Sequence, residues 1–463
     1  MSIQRIHDHL SAGRTAAQDD AGLSMTEVIT ALFVFTIFIL GLGYSLLSMT
    51  RLVGDSENRQ VAASLAAQEI DIVRAIPDAF DVLSKTSTQT VGNTTFTIKR
   101  VAGWVTTNGS TASCGTGGGN LQDKAVDVQV TWQNQYVLVS PIRSTTILAP
   151  STRINDPSFG TIIVSTLGAD GKGRSAVTVS VVATAGGGGT TPTSVDPTDS
   201  SGCSYVLKVA PGTYTVSVSK TSYLDSAGPL QVASPSRTVT VPAGGSQIAT
   251  FQYDQRATFN MQYASNYTGP GTVKLPSSLA TSFMNSAGLA KSATTAASTQ
   301  YLFPFSEGYS AIAGNYVDSS ITPGCLSIDP LQWAAGTANG VPMAAGTRPA
   351  VGVTPGGSGT LGVPMGVIQT TWPLIADSIT VQSVTPPAGL GDPGCASPTT
   401  YTYSFATIPA PGTTIYLAVP FGSWQVYSSF GAIRTVLPAA TVTVATQGEV
   451  TAGIATLDPR IPS

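Results

Sequence analysis

The clearest pattern of hydrophobic and polar positions is a run from Val28 to Met49 that carries no charge over about 22 residues. As a helix, such a run crosses a hydrocarbon core roughly 30 Å thick. Beyond it the period stays helical. Val61, Leu65, Ile72 and Ile76 fall within about 60° of one another on a helical wheel, with Arg59, Asp71 and Arg74 elsewhere. The first proline of the chain is Pro77, and a proline disfavours helical backbone in the residue before it. The pattern therefore predicts one helix from Leu23 to about Ile76, on the order of 80 Å long. Its second half presents an apolar stripe suited to packing on a globular head.

After Pro77 the period changes to two. Phe96 and Ile98 alternate with polar residues, and Val126, Val128, Val130 and Trp132 do so more clearly. Tyr136–Val139 and Thr145–Leu148 follow, with a hairpin turn at Asn134. Alternation of this kind marks strands with one buried face, so residues 78–150 are expected to be a small antiparallel β head. Residues 157–254 form a second unit. Its strands are Gly160–Leu167, Ala176–Val182, Cys203–Leu207, Thr213–Val218, Thr238–Val241 and Ile248–Tyr253. Ala169–Gly173 supplies a turn and Gly186–Pro192 a loop. Residues 255–365 read less regularly. Ala257–Tyr263 and Thr272–Leu275 look like strands, Tyr301–Ala313 is rich in aromatics, and 334–362 reads as loop or linker. In the last module, 366–463, Val419–Val426 parallels Ala210–Val216 and Thr441–Val444 parallels Thr238–Val241. That is either an internal repeat of a sandwich or convergent hairpin chemistry. The fold class expected is α+β: a long membrane-spanning helix packed on a small antiparallel sheet, followed by all-β sandwich modules.

Composition narrows the class. Only 10% of the 463 residues are charged, while Gly (48) and Pro (30) are plentiful, which fits a turn-rich exported β protein. The net charge of −3 gives no electrostatic footprint for nucleic acid. The four cysteines, Cys114, Cys203, Cys325 and Cys395, lie beyond the apolar run. An even count in an exported chain allows three full disulfide pairings. Cys325 and Cys395 both follow Pro-Gly and form the preferred pair. Reduced, buried thiols are the alternative.

Candidate chemistry is sparse. The only histidines are His7 and His9, ahead of the apolar run, which leaves the rest of the chain without Ser-His-Asp catalysis or a histidine zinc site. No CxxC spacing occurs, and Gly186–Gly189 lacks the lysine of a phosphate-binding loop. Asp170–Gly171–Lys172 reads as a hairpin turn, since the further acids of a calcium loop are missing. No enzyme activity, metal or cofactor is expected. Trp132 and Trp424 are expected in cores. Trp333, with Tyr309 and Tyr316 upstream, is the one candidate for an exposed binding surface, with packing as the alternative.

Two stretches carry a resemblance. Gly22, Leu23 and Thr26–Glu27, with the hydrophobic helix after them, resemble the leader and N-terminal helix of type IV pilins and pseudopilins, over roughly residues 15–77. The resemblance implies a leader 1–22, cleavage between Gly22 and Leu23 by a prepilin peptidase, methylation of Leu23, and a helical segment 23–77. It also implies that Glu27 docks the chain among other subunits. The sequence departs from that pattern in Leu23, where phenylalanine is usual, and in a leader that is not basic. The family's helix-breaking proline is missing too; Tyr44 stands there between Gly41 and Gly43, which are expected to loosen the helix. Gly212–Val216 resembles the G-x-Y-x-V signature of transthyretin-like sandwiches, which include the prealbumin-like modules of Gram-positive surface pilins.

The function these resemblances imply is that of a minor pilin-like surface protein. Its β-modules would project toward an unknown ligand, and residues 28–49 would contact membrane lipid. A minor pseudopilin of a type II-like secretion system and a non-polymerising anchored surface receptor are the alternatives. The location implied is a single-pass cell membrane protein with its bulk outside, or an extracellular pilus.

Overall fold

The computed structural model describes residues 24–133, 140–150, 154, 156–227, 231–316, 324–396, 400–405 and 409–463. The leader 1–22, Leu23, the turn at Asn134 and the strand expected at Tyr136–Val139 lie outside them. The chain divides into two compact units. One holds the helix to Ile72 with Thr86–Lys99 and Val128–Ser144, and the other holds Val73–Lys85, Arg100–Asp127 and Thr145–Ser463.

The helix runs unbroken from Met25 to Arg74. Ser24 caps its start, and Pro77 limits its end by disfavouring helical backbone in the residue before it. Gly41 and Gly43 do not loosen it. A glycine costs a helix only about 1 kcal/mol relative to alanine, and the residues around these two are good helix formers. The buried stripe is also not the one expected. Ala62, Leu65, Ala66, Ile70 and Val73 are buried, whereas Ile72 is 49% exposed and Val61 and Ile76 are only partly covered. The buried positions are two alanines together with Leu65, Ile70 and Val73.

The head is one sheet in the order Lys85–Val91, Thr94–Thr106, Leu121–Trp132, Ile142–Leu148, with Thr111–Ala112 beside the second strand. Its inward positions are those the alternation marks: Phe96, Ile98, Val126, Val128, Val130 and Trp132 are all buried. Trp104 lies further along the second strand. It packs with Ala79, Leu121, Ile154, Ile163 and the Cys114–Cys203 disulfide. Asn120 ties the head to the first sandwich from both ends of its amide. Its Nδ2 donates to Gly244 O at 2.7 Å, and its Oδ1 accepts from Ser246 N at 2.9 Å.

The first sandwich stacks two sheets. One has the order Tyr223–Asp225, Ser246–Gln255, Gly160–Leu167, Cys203–Val209; the other is Ser236–Val241, Gly212–Ser219, Thr178–Ala183. Gly160–Leu167 pairs parallel with Ser246–Gln255 and antiparallel with Cys203–Val209. Ile162 and Val164 face Tyr214, Val216 and Val218 in the sandwich core, while Ile163 faces the head. Burial on both faces explains why this strand reads as a continuous apolar run rather than an alternating one.

From Ala257 to Leu457 a single hydrophobic core continues through four sheets. The boundary expected at 365 runs through it: Val273–Lys274 pairs with Thr414–Val419, a strand of the last module. The stretch 334–362 is not all linker either. Ser358–Val363 is a strand parallel to Ala257–Tyr263, and Gly336–Ala338 pairs with Val341–Met343. Their glycine and alanine content hides them, because strands packed against neighbouring backbone do not need large side chains. The repeat is local. Thr238–Val241 pairs with Gly212–Ser219, but Val442–Val444 pairs with Gly366–Thr371 rather than with Gly422–Phe430.

Candidate membrane and assembly surface

The segment Met25–Ser45 is long and apolar enough to cross a membrane. Val28, Ile29, Leu32, Phe33, Val34, Phe35, Phe38 and Leu42 are all exposed. Apolar side chains on every side are the mark of a helix meant for lipid or for neighbouring helices. Two of its three threonines, Thr30 and Thr36, place their hydroxyls on the helix's own backbone. Thr30 Oγ1 donates to Thr26 O and Glu27 O at 2.9 and 3.0 Å, and Thr36 Oγ1 to Leu32 O at 2.7 Å. A polar group so satisfied costs little in hydrocarbon. Gly41 opens a shallow apolar notch of about 380 Å³ with Val34, Ile37, Phe38 and Leu42.

Glu27 is turned back on its own chain. Ser24 N and Ser24 Oγ both donate to Glu27 Oε2 at 3.0 Å, and Glu27 N donates to Ser24 Oγ at 3.3 Å. This is a reciprocal capping box, which satisfies helix N-terminal donors. The spacing Ser24-x-x-Glu27 announces it, and the sequence reading passed over it. Gly22 and Leu23 lie outside the described residues.

Trp333 does not offer an exposed aromatic surface. It is fully buried, its Nε1 donates to Ser327 O at 2.8 Å, and Tyr309 is equally buried. A short 3-10 turn at Pro330–Gln332 folds the tryptophan inward, its cap bonds made by Asp329. The structure joins Cys325 to Cys395 as well as Cys114 to Cys203.

Several ionic groups are buried, and apart from the exposed Asp170 none of those below was singled out in the sequence. Four carboxylates meet an arginine. Arg174 holds Asp254 and Asp170 at 2.7 and 2.8 Å, Arg348 holds Asp329 at 2.9 Å, and Arg460 holds Asp458 at 2.7 Å. Arg460 also donates to Ala334 O and Leu390 O. A cavity of about 450 Å³ near Phe421 has Asp458 and Arg460 as its only charged lining groups, and these are spent on each other. Asp392 accepts from Ser327 Oγ, Gly394 N and Ser423 Oγ, which pins the loop before Cys395 to the sheet. Lys124 is the exception to arginine pairing. It is 2% exposed, with its Nζ 4.6 Å from the Trp104 ring centroid. Burial pushes its ammonium down to about 8, against the opposing pull of Asp199 and Asp78. Burial likewise raises the Asp199 carboxyl, despite N–H bonds from Ser201 and Cys203. No group of three metal-ligating side chains occurs among the described residues.

No family model and no curated protein matches the chain. Among solved structures it is similar to the Bacillus anthracis TIE protein, at 10% identity over 80% of this chain and 71% of that one, with a TM-score of 0.20. It is also similar to BcpA, the major pilin subunit of Bacillus cereus, at 10% identity over 64% of this chain and 95% of that one, with a TM-score of 0.18. At TM-scores this far below 0.5 neither likeness carries an argument about fold or function.

Proposed function

We propose that this chain is a minor pilin-like surface subunit without enzymatic activity. A prepilin peptidase cuts it after Gly22, and Leu23 becomes the methylated N-terminus. The span 28–49 rests in lipid before the helix joins other pilin subunits, and the β-modules project toward a surface ligand. The observation that carries this reading is the capped apolar helix at Met25–Ser45, exposed on every side and continuous with the rest of the helix to Arg74. Cleavage there leaves at least 463 − 22 = 441 residues. So large a head suits a tip or sparse position better than every step of a filament. A pseudopilin of a secretion machine uses the same helix, and loss of secretion without loss of pili on deletion would assign the chain there.

One observation favours a second reading, an anchored receptor that never polymerises. The bonds between Glu27 and Ser24 account for this acid within its own chain. Two substitutions separate the readings. Ser24→Ala removes the cap and leaves the carboxylate, whereas Glu27→Gln keeps much of the cap and removes the charge. Under the pilin reading Glu27→Gln lowers incorporation into filaments and Ser24→Ala does so far less. Equal small effects on both, with an unprocessed N-terminus by mass spectrometry, would establish the anchored receptor.

A further inference from the structure

The strand Cys203–Val209 is an edge of its four-stranded sheet. Its inner side pairs with Gly160–Leu167. Its outer side is identified by Cys203, whose N–H donates to Asp199 Oδ1 at 2.9 Å and whose carbonyl accepts from Asp199 N at 2.8 Å. Strand backbone turns its polar groups to alternate sides. Tyr205 therefore points its N–H and C=O the same way as Cys203, and the Leu207 N–H follows, just before the register shift opposite Thr161. No main-chain partner meets them there among the described residues.

That side opens into a groove of about 550 Å³ between Tyr205–Ala210 and the segment Thr190–Asp196. The opposite wall is fixed at both ends. Thr190 N donates to Tyr214 Oη at 3.2 Å, Thr191 Oγ1 accepts from Ala183 N at 3.0 Å, and Asp196 O accepts from Ser204 Oγ at 2.7 Å. The Ser204–Asp196 bond closes one end, and a left-handed Lys208 (φ 54°) breaks the strand at the other. Between them the free main-chain groups of Tyr205 and Leu207 face the groove. Unpaired strand donors and acceptors are matched best by another extended backbone. The slot is lined by hydroxyls and apolar side chains, with Asp196 and Lys208 one on each wall, so the groove is near neutral.

We infer that this groove binds an extended polypeptide segment of a partner protein, with uncharged side chains, added to the sheet as a fifth strand. The Tyr205 and Leu207 amides are the recognition elements, and Thr190–Asp196 is the retaining wall. A random twelve-residue peptide library displayed on phage, selected on the full chain in detergent micelles, supplies the probe. In the free protein the Tyr205 and Leu207 amides exchange faster than that of Val206, by about tenfold or more. A selected peptide at saturation slows both to the Val206 rate, and N-methylation of alternate peptide residues abolishes the effect. Ser194→Trp, at an exposed position of the wall, blocks the slot without touching the core and loses the peptide. The inference is overturned if Tyr205 and Leu207 are already as protected as Val206 in the free protein. It is equally overturned if no selected peptide protects them, or if the Ser194→Trp protein binds such peptides as well as the parent does.

Discussion

The strand that leaves Pro211–Gly212 and the strand that leaves Phe421–Gly422 begin alike. In each an aromatic side chain two residues past the glycine points into a core and bonds the carbonyl four residues before it. Tyr214 Oη donates to Ala210 O at 2.5 Å, and Trp424 Nε1 donates to Pro420 O at 2.9 Å. The glycines serve different ends. A side chain on Gly212 would meet Gly189 N at 2.2 Å, so close backbone contact excludes it. Gly422 sits at φ +129°, which L-residues rarely adopt. The surroundings also differ. Gly212–Ser219 lies between Ser236–Val241 and Thr178–Ala183, in a sandwich with its own core. Gly422–Phe430 lies between Ser378–Ser383 and Ile454–Leu457, inside a core shared with strands from residue 257 onward. A tight turn can thus recur wherever its few residues recur, while strand partners are decided by the whole module.

The comparison is broken most forcefully at Trp424. Its side chain is almost fully buried, so Trp424→Ala should cost about 3–5 kcal/mol. Because one core runs from Ala257 to Leu457, the loss should spread to Phe259 and Phe283 as raised amide exchange. Residues 160–255 should keep their protection. If protection fell only near Gly422–Phe430, the last module would have its own core after all, and the two hairpins would belong to equivalent sandwiches.

What the sequence discloses follows the same division. Local signals are legible. The uncharged run becomes an exposed helix, the alternation at Val126–Trp132 becomes a strand with its apolar positions inward, and Ala169–Gly173 becomes a turn held by Asp170 accepting from Lys172 N. Long-range pairing is not legible. Nothing in Val273–Lys274 announces a partner at Tyr416–Leu417. Ser358–Val363 hides a strand behind two glycines because its neighbours supply the bulk. At the candidate assembly site the apolar surface and Glu27 stand out in the sequence, and the Ser24 cap was readable from its spacing. The groove beside Tyr205 could not be foreseen, since it exists only once an edge strand and a distant loop are brought side by side.

A second test uses the buried cations, which the two regions treat differently. In the C-terminal body Arg460 lies on Asp458, with further bonds to two carbonyls. At the junction of head and first sandwich Lys124 lies over Trp104 instead. Its ammonium titrates near 8 in the folded protein against an ordinary 10.5. Between those values the unfolded chain holds a proton that the folded chain has released. Stability of the junction should therefore rise with pH across that window, by on the order of 3 kcal/mol at most. Denaturant unfolding followed by Trp104 fluorescence at pH 7.5 to 10.5 reads the slope, and Lys124→Met should remove it. A slope that survives Lys124→Met belongs to another group, and the junction then handles its cation no differently from the body.

The smallest effect isolates the turn itself. Tyr214→Phe keeps the ring in the sandwich core and removes only the hydroxyl, which donates to Ala210 O and accepts from Thr190 N. Losing a buried hydrogen bond of this kind costs about 1–2 kcal/mol. The loss should fall on the first sandwich, measured by denaturant unfolding with exchange at Val216 and Val239 as the local reading. Because Thr190 is one end of the groove wall, the same substitution should also quicken exchange along Thr190–Asp196 while leaving Gly422–Phe430 unchanged. An effect at Gly422–Phe430 would mean that the two hairpins are coupled through the body. No change at Thr190 would mean that the wall is held by Thr191 and Asp196 alone, and the aromatic-to-carbonyl bond would then be a feature of the turn with no reach beyond it.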